Sequence, residues 1–486
     1  MIPETYGTGL SLLTDLYQLT MGYGYWQNKM HQQPTVFHLF FRQCPFDGQY
    51  AIAAGLEPAV EWLRSFQVTQ SDVDYLRELR GNDAKPLFHQ DFLTELLSLR
   101  LTVDIDAIPE GTVVFAHEPL VRVTGPLWQC QWIETALLNI VNFQTLIATK
   151  AARVCDAAEG EPVLEFGLRR AQGIDGGLSA ARAAYVGGCT ATSNVLAGKL
   201  LGIPVKGTHA HSWIMAFDDE LTALSAYADA MPNNCVFLVD TYDTIGGVKL
   251  AIQVGHRLRE SGHEMVGIRL DSGDLAQLSI QSRRLLDEAG FPDAVIVASN
   301  DLDEYAIARL KRDGAKIAVW GVGTNLVTAR DQPALGGVYK LAAIADDDGR
   351  WQPRIKLSEL AIKTSTPGIQ QVRRYYRDGQ MAGDAIYSEL IGPPENPRVD
   401  LLIRPGELVE FAGATEHADL LIPVLRGGQL VAQLPALEQL REYAIEQRSQ
   451  IPSSIRGLNS QPTYATGLEV RLAEQKRKLI GEAQST

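Results

Sequence analysis

Cysteine is scarce in this sequence, and its few occurrences form no metal-binding or disulfide pattern. The five cysteines are Cys44, Cys130, Cys155, Cys189 and Cys235. They stand singly, without a C-x-x-C pair and without histidines at metal-ligand spacing. We therefore expect neither a structural zinc site nor a disulfide framework.

Basic residues are outnumbered, and long apolar runs are missing. The 44 Lys and Arg residues stand against 58 Asp and Glu residues, which gives a formal net charge of -14. A nucleic-acid-binding surface needs the opposite balance, so no nucleic-acid partner is expected. No apolar run approaches the roughly 18 residues of a membrane span, and the N-terminus lacks a basic segment followed by an apolar one. We expect a cytoplasmic protein without a membrane segment.

The length of 486 residues and a hydrophobic content of 45% allow one large core and a second, smaller one. In the first 150 residues, Thr14 is predicted to cap an amphipathic helix, and residues 35–41 are predicted to form an alternating strand. Valines and isoleucines within residues 101–128 predict antiparallel strands, and residues 370–380 predict a hairpin strand.

From about residue 160, short Val- and Ile-rich runs alternate with amphipathic stretches of roughly 12 to 18 residues, which is typical of β-α units and a parallel sheet. Strands are predicted near residues 162–166, 204–209, 235–240, 265–270, 294–299 and 316–320. Asp301 with Glu304 three residues later resembles a capping box, and Gly290 and Gly314 stand where helices are expected to end.

Each predicted strand runs into a polar or glycine-rich cluster at its carboxyl end. The clusters are Arg169 and residues 209–212, 240–244, 271–274, 299–301 and 321–325. In a β/α barrel or an open parallel sheet, ligands bind at the carboxyl ends of the strands, so these clusters are expected to share one site. Each cluster taken alone could equally be a polar loop that caps a helix.

Three kinds of group in these clusters suit a phosphate-containing substrate. Arg169 and Arg269 supply positive charge, and Asp271 supplies a carboxylate. The turn Gly321-Val-Gly-Thr324 offers successive main-chain amides. None of these signals is specific by itself, because Gly-x-Gly turns are common and such arginines are more often surface or ion-paired residues. Asp271-Ser-Gly-Asp274 could also simply begin a helix.

Six ordered blocks of the sequence together resemble nicotinate phosphoribosyltransferases. They are Thr14-Asp-Leu-Tyr-Gln-Leu-Thr-Met21, Glu165-Phe-Gly-Leu-Arg-Arg170, Gly207-Thr-His-Ala-His-Ser212, Val239-Asp-Thr-Tyr-Asp-Thr244, Ile268-Arg-Leu-Asp-Ser-Gly-Asp274 and Gly321-Val-Gly-Thr324. The resemblance covers about residues 10–370. Its later blocks coincide with the predicted strand ends, so both lines of reasoning indicate the same site.

The resemblance implies the α/β fold of a type II phosphoribosyltransferase. That fold combines an irregular, TIM-like β/α barrel, which holds the phosphates, with an α/β domain built from N-terminal and C-terminal segments. On this chain we expect an N-terminal α/β domain at residues 1–150 and the barrel at residues 151–340. The C-terminal region, residues 341–486, is expected to return in part to the N-terminal domain.

The resemblance also implies an activity. Enzymes of this family transfer the 5-phosphoribosyl group of phosphoribosyl pyrophosphate (PRPP) to nicotinate, which yields nicotinate mononucleotide and pyrophosphate and begins NAD salvage. They couple this transfer to ATP hydrolysis through a phosphorylated histidine, with Mg²⁺, and they work as homodimers with shared active sites. Nicotinate, PRPP and ATP are thus the expected small-molecule substrates, and ATP and Mg²⁺ the expected cofactors.

The family pattern assigns roles to individual positions of this sequence. Tyr17 and Phe166 are expected to stack on nicotinate, and Arg169 and Arg269 to bind substrate anions. Asp271 is expected to bind the ribose or a metal, although the set of metal ligands stays unassigned. The family pattern assigns Gly321 to Thr324 to phosphate binding. The remaining substrate-binding positions are thus Ser272, Gly273, Gly321, Gly323 and Thr324.

His211 is the residue expected to carry the phosphate, and it forms the predicted catalytic set together with Arg269 and Asp271. His209 stands two residues earlier, and on a strand the two rings would face the same side. The family pattern favours His211, because its phosphorylated histidine follows a small residue and precedes Ser or Glu.

Thr190 is the position predicted to select nicotinate. Nicotinamide-using relatives resemble this family but carry Asp in a Gly-Thr-Asp-Thr turn, where this chain has Gly188-Cys-Thr-Ala191. An aspartate would repel the carboxylate of nicotinate, so Thr190 favours nicotinate over nicotinamide.

Two other interpretations fit parts of the pattern. A phosphate-handling lyase or aldolase would explain the strand-end clusters, but it would need a lysine or a metal-ligand set at a strand end. A degenerate transferase that acts as a regulator or binding partner is the non-enzymatic alternative. The intact set of Arg169, His211, Arg269 and Asp271 counts against it.

Overall fold

The computed structural model describes residues 9–360, 363–458 and 463–485. The chain forms two compact units: the first combines Met1–Leu146 with Ala334–Thr486, and the second is Ile147–Pro333. None of the described helices is long and apolar enough to cross a membrane.

Strands and helices are mixed along the chain. The strands are β1 (Pro34–Phe41), β2 (Ala51–Ile52), β3 (Asp104–Ala107), β4 (Val113–Val114), β5 (Val121–Pro126), β6 (Val163–Glu165), β7 (Ala191–Thr192), β8 (Val236–Leu238), β9 (Gly267–Leu270), β10 (Val295–Ala298), β11 (Val319–Val322), β12 (Gly337–Ala345), β13 (Trp351–Pro353), β14 (Gln370–Arg377), β15 (Gln380–Ser388), β16 (Arg398–Leu401), β17 (Leu408–Glu410), β18 (Glu416–Asp419), β19 (Ile422–Arg426), β20 (Gln429–Leu430) and β21 (Thr466–Glu469). The helices are α1 (Leu16–Gln27), α2 (Leu56–Ser65), α3 (Gln70–Glu78), α4 (Gln90–Ser98), α5 (Leu127–Trp132), α6 (Glu134–Ala157), α7 (Ile174–Val186), α8 (Val195–Leu201), α9 (His211–Met215), α10 (Glu220–Ala230), α11 (Thr244–Glu260), α12 (Leu275–Glu288), α13 (Glu304–Arg312), α14 (Thr324–Val327), α15 (Leu437–Ser449), α16 (Ser453–Arg456) and α17 (Val470–Gln484), with a 3-10 helix at Leu168–Arg170.

The second unit is built on a six-stranded parallel sheet in the order β7-β6-β11-β10-β9-β8. Helices α11, α12 and α13 connect β8 through β11 in turn, which confirms the predicted β-α repeats and the parallel sheet. The pairings of the described residues leave β7 and β8 as the outer strands. A mixed α/β fold is thus confirmed, whereas closure of the sheet into a barrel is not.

Five of the six strands predicted in this unit are present, and the strand predicted at residues 204–209 is wrong. Only Val205 pairs there, in an isolated bridge to Thr192 of β7. Further along, the side chain of His209 accepts a hydrogen bond from the backbone N of Leu238 in β8. The His209 ring nitrogen therefore accepts the N–H of Leu238, which a neighbouring strand would otherwise bond.

The predicted glycine ends of two helices are confirmed, but two predicted N-caps fall on other residues. Gly290 and Gly314 end α12 and α13 with φ of 81° and 79°, as expected for glycine after a helix. Asp303, not Asp301, caps α13 by accepting from the backbone N of Ala306. Thr14 is not the N-cap of α1, because the N-cap residue is Asp15. The Thr14 hydroxyl instead donates to the carbonyl of Trp132.

The first unit contains two larger sheets, in the orders β13-β12-β1-β5-β3-β19-β20 and β17-β16-β21-β15-β14-β18. The predicted antiparallel strands before residue 128 and the hairpin of β14 and β15 are confirmed. Strand β1 is also confirmed, but every residue after Pro34 is buried. The alternation does not produce an exposed face in β1, which pairs with β12 on one side and β5 on the other.

A buried ionic cluster lies within the first unit. The Arg374 Nη2 atom is 2.7 Å from Asp384 Oδ2 and 3.8 Å from Glu118 Oε2, and all three side chains are fully buried. The hydroxyl of Tyr464 donates to Asp384 at 3.0 Å. Burial, and then the neighbouring Asp384, raise the pKa of Glu118 well above its ordinary value. Burial therefore favours the protonated form of Glu118, and Asp384 is the carboxylate that pairs with Arg374 at 2.7 Å.

Candidate active site

The carboxyl edge of the parallel sheet brings most of the predicted site residues together. Phe166 directly follows β6, Asp271 follows β9, and Gly323 follows β11. The pairs β6–β11, β11–β10, β10–β9 and β9–β8 are all parallel, so these ends share one edge of the sheet.

Asp271 contacts groups from two neighbouring strand ends and from α9. Its Oδ1 atom accepts a hydrogen bond from the Ser299 hydroxyl, which follows β10. Its Oδ2 atom lies 3.7 Å from Nε2 of His211, and its backbone N donates to Asp240 Oδ2 at 2.7 Å. The Asp271 side chain is still 33% exposed. The carboxylate is thus oriented by its neighbours and open to a ligand.

The segment after Asp271 serves both the helix and the site. Asp274 caps α12 by accepting from the backbone N of Gln277 at 3.2 Å, so the helix-start interpretation holds for that residue. Ser272 donates to Asp240 Oδ2 at 2.7 Å, and Gly273 has a φ of 79° that favours glycine. The other oxygen of Asp240, Oδ1, is buried and has no hydrogen-bond partner among the described residues.

His211 is the first residue of the short helix α9 and is partly exposed. Its Nδ1 atom lies 3.1 Å from the Thr241 hydroxyl, and its Nε2 atom faces Asp271. Both ring nitrogens therefore point to groups at the strand ends. The partly exposed imidazole is therefore open to a ligand at this edge of the sheet.

His209 has a different environment from His211, and the strand on which both rings were expected to face the same side is absent from the described residues. Its side chain is buried, and Nε2 accepts from the backbone N of Leu238 at 3.2 Å. The ring packs edge-on against Tyr227, with 4.8 Å between ring centroids. Burial lowers the pKa of His209 to about 4. The two histidines diverge because the segment is a loop leading into α9 rather than a strand.

Arg269 presents an incompletely paired guanidinium to the same edge. Its Nη1 atom donates to the Thr208 hydroxyl, while Nε is buried without an acceptor among the described residues. Burial lowers the pKa of Arg269 from its ordinary value, the carboxylates of Asp271 and Asp240 oppose that change, and Arg169 reinforces it. An unpaired buried N–H is costly, so this guanidinium suits an anionic ligand. Arg169 is exposed on the 3-10 helix.

Glu165 fixes the turn that carries Phe166. This carboxylate is buried, and it accepts hydrogen bonds from the backbone N of Gly167 and, at 2.6 Å, from the Thr192 hydroxyl. Burial raises the pKa of Glu165 above its ordinary value. Phe166 itself is only partly buried.

Thr190 lies away from these groups. It precedes β7, and its backbone N and its hydroxyl both bond to the carbonyl of Val163 at the amino end of β6. Ser193 follows β7 at the carboxyl end, where its backbone N donates to the carbonyl of Glu165 at 2.9 Å. The structure therefore places Ser193, not Thr190, next to Phe166.

Tyr17 and Thr324 are the remaining predicted site residues. Tyr17 is on α1 in the first unit and is 49% exposed. Burial, followed by Glu134 and Asp15, raises its pKa. Thr324 begins the four-residue helix α14, directly after the Gly321-Val-Gly turn.

Sequence reasoning assigned no role to Asp240, Thr241, Ser299 or Glu165. The first three were within the polar clusters, but only the fold shows that they contact Asp271 and His211. The described residues contain no group of three or more His, Cys, Asp or Glu side chains that could hold a metal ion.

Comparison with known proteins identifies the family. Residues 12–142 match the nicotinate phosphoribosyltransferase (NAPRTase) N-terminal domain, and residues 163–350 match the NAPRTase family. The chain belongs to the nicotinate phosphoribosyltransferase family. The NAPRTase match at residues 163–350 spans the strand-end residues from Phe166 to Thr324, and the N-terminal match includes Tyr17.

Individual relatives are similar over nearly the whole chain. The nicotinate phosphoribosyltransferase of Bacillus subtilis (strain 168) is 44% identical, covering 98% of this chain and 96% of that protein. The nicotinate phosphoribosyltransferase of Dictyostelium discoideum is 39% identical, covering 90% and 83%. The crystal structure of human nicotinic acid phosphoribosyltransferase matches with a TM-score of 0.83 and 34% identity, covering 96% of this chain and 99% of that one.

Proposed function

We propose that this chain transfers the 5-phosphoribosyl group of PRPP to nicotinate, forming nicotinate mononucleotide and pyrophosphate. In such a transfer the pyridine nitrogen captures a ribosyl centre that becomes positively charged as pyrophosphate leaves, so catalysis depends on positioning and charge. The observation that carries the proposal is the oriented Asp271 carboxylate beside the incompletely paired guanidinium of Arg269. Asp271 would stabilise the ribosyl cation, and Arg269 with Arg169 would bind substrate anions.

A product assay tests this function. Purified protein is given PRPP, Mg²⁺ and ATP with nicotinate, nicotinamide or quinolinate, and the mononucleotide and pyrophosphate are quantified. We expect nicotinate to be used far better than the other two. Family membership favours a transferase over a lyase or aldolase. Absence of product from every pyridine, in folded protein, would instead favour the non-enzymatic binding protein.

We further propose that ATP phosphorylates His211 and that this step drives the transfer. The partly exposed imidazole of His211, beside Asp271, supports this assignment over the buried His209. A neutral imidazole is a competent nucleophile near pH 7.

Mg²⁺ is part of the proposal, and the residues present suit it. Mg²⁺ is commonly held by one or two carboxylates together with substrate phosphates rather than by an all-protein cage. Asp240 offers a buried oxygen without a hydrogen-bond partner among the described residues, and Asp271 offers an exposed carboxylate next to it. These two side chains would hold the ion, which would screen the charge of the pyrophosphate.

We also propose a homodimer in which Tyr17 of one copy completes the site of the other. Exposed apolar side chains support this: Leu16 and Tyr17 on α1 are 53% and 49% exposed, and Val195 and Leu196 on α8, just after Ser193, are 71% and 50% exposed. Large exposed apolar side chains next to a site indicate an interaction surface.

Mixing two inactive variants tests the shared site. Tyr17→Ala and Asp271→Ala chains damage different halves of each proposed site, so a mixed dimer keeps one intact site. After subunit exchange, random mixing should restore about a quarter of normal activity. No recovery after verified exchange would indicate a self-contained monomer. Closure of the parallel sheet into an irregular barrel and a cytoplasmic location remain predictions that accompany this function.

A further inference from the structure

The space beside Gly321 is filled by the ring of Phe166. A methyl group placed on Gly321 would lie 2.8 Å from Cδ2 and 3.0 Å from Cε2 of that ring. Carbon atoms pack at about 3.5 to 4.0 Å, so even an alanine at this position would force the ring to move. The backbone of Gly321 is not in the left-handed region. Its lack of a side chain, rather than its conformational freedom, is therefore what this contact requires.

The backbone of Phe166 is fixed, so the ring is the part that would move. Gly321 pairs with Leu164 in the parallel ladder of β11 and β6, and the backbone N of Phe166 donates to the carbonyl of Val322 at 2.8 Å. The buried Glu165 carboxylate fixes the same turn from the other side through Gly167 and Thr192.

The neighbouring glycines confirm how closely the two turns approach. A methyl group on Gly323 would lie 3.0 Å from the carbonyl oxygen of Phe166, and one on Gly167 would lie 2.3 Å from Cγ1 of Val327. The turns after β6 and β11 therefore pack too closely to accept an added side-chain atom between them.

We propose that Gly321 is a positioning residue that sets the angle of the Phe166 ring against which nicotinate stacks, rather than a phosphate ligand. This inference rests on the proposed function, in which Phe166 contacts the pyridine. It assigns Gly321 to the binding of nicotinate, whereas the family resemblance alone suggested phosphate. The two assignments differ in which substrate loses affinity when a methyl group is added.

The test compares Gly321→Ala with Gly176→Ala. Gly176 lies in α7, and a methyl group there would meet nothing within 4 Å, so this control should behave like the unmodified protein. In Gly321→Ala we expect the KM for nicotinate to rise by about tenfold or more and the KM for PRPP to change by less than about twofold. A rise confined to the KM for PRPP, or no change in either, would overturn the inference.

A double-mutant cycle tests whether Gly321 acts through the ring. Phe166→Leu removes the ring atoms that the added methyl group would meet, and this variant alone should weaken nicotinate binding. Adding Gly321→Ala to the Phe166→Leu variant should then weaken nicotinate binding little further, because the added methyl group no longer meets the ring. If Gly321→Ala weakens nicotinate binding equally in the presence and absence of the Phe166 ring, the positioning role is refuted. The double variant also gives a result if Gly321→Ala alone does not fold.

Calorimetric binding of nicotinate separates this inference from the proposed function. If the unmodified protein binds nicotinate in a Gly321-dependent way but forms no mononucleotide, the inference stands and the function fails. If it forms the mononucleotide and Gly321→Ala keeps the normal affinity for nicotinate, the function stands and the inference fails.

Discussion

Replacing His209 and His211 one at a time should separate a structural histidine from the proposed phosphate carrier. His209 is buried and accepts the N–H of Leu238, whereas the side chain of His211 is 39% exposed. We therefore expect His209→Ala to lose stability and His211→Ala to lose phosphorylation.

The sizes of the two stability effects follow from these contacts. In His209→Ala, the buried N–H of Leu238 loses its acceptor, which costs about 1–3 kcal/mol, and the packing on Tyr227 is lost as well. A loss of that size should lower the Tm by several degrees. His211→Ala should change the free energy of unfolding by no more than about 0.5 kcal/mol, as for an ordinary surface substitution. His209→Gln is the matched control, because its amide oxygen can replace the acceptor.

The pH dependence of stability gives a second measure of the His209 effect. Its pKa of about 4 in the folded chain lies below the ordinary value of roughly 6.5, so between these values only the unfolded chain binds the proton. The stabilisation is complete above about pH 6.5 and is lost as the pH falls toward 4, by at most roughly 3 kcal/mol. His209→Gln should remove this part of the pH profile measured by denaturant unfolding.

Phosphorylation is followed with labelled ATP and thermal unfolding in parallel. His211→Ala should lose the acid-labile phosphate and ATP hydrolysis, keep a normal Tm, and retain a slower ATP-independent transfer. His209→Gln should keep the label. If the label survives in His211→Ala and disappears in folded His209→Gln, the assignment of the phosphate carrier is wrong.

Two further pairs of variants test the structure. Glu118→Gln should destabilise the protein less than Asp384→Asn, because burial already favours the protonated form of Glu118. Asp384→Asn should cost about 3–5 kcal/mol in denaturant unfolding, because the buried Arg374 loses the carboxylate that lies 2.7 Å away. Equal losses would contradict the assigned charge states. Ser193→Asp should erode the preference for nicotinate over nicotinamide by placing a carboxylate beside Phe166, while Thr190→Asp should leave the ratio of kcat/KM values unchanged. The reverse result would restore Thr190 as the selecting position.

The parallel sheet and its strand-end site could be predicted because both leave local signals in the sequence. Buried parallel strands appear as short apolar runs, and each run here ends in polar residues such as those of the Asp271–Asp274 segment. The two interpretations of that segment were not exclusive, since Asp274 caps the helix and Asp271 faces the site.

The errors arose where a long-range contact decides the outcome. Nothing near His209 in the sequence indicates that its ring accepts the N–H of Leu238, 29 residues away, in place of a strand pairing. Thr190 and Ser193 are three residues apart, and the position of the two-residue strand β7 decides which one reaches the carboxyl edge. Asp301 and Asp303 are both good capping residues, so composition alone cannot choose between them.

The contacts of the Glu165-Phe-Gly167 and Gly321-Val-Gly323 blocks change what their resemblance to the family implies. Glu165 bonds to Thr192, the Phe166 ring covers Gly321, and Gly167 packs against Val327. The two blocks are thus partners in one packing arrangement across adjacent strands, and a substitution in either would disturb the other. Similarity to the family in these blocks is therefore evidence for a shared ring position as much as for ligand contacts. Only variants that separate the affinity for nicotinate from the affinity for PRPP can assign each residue to one role.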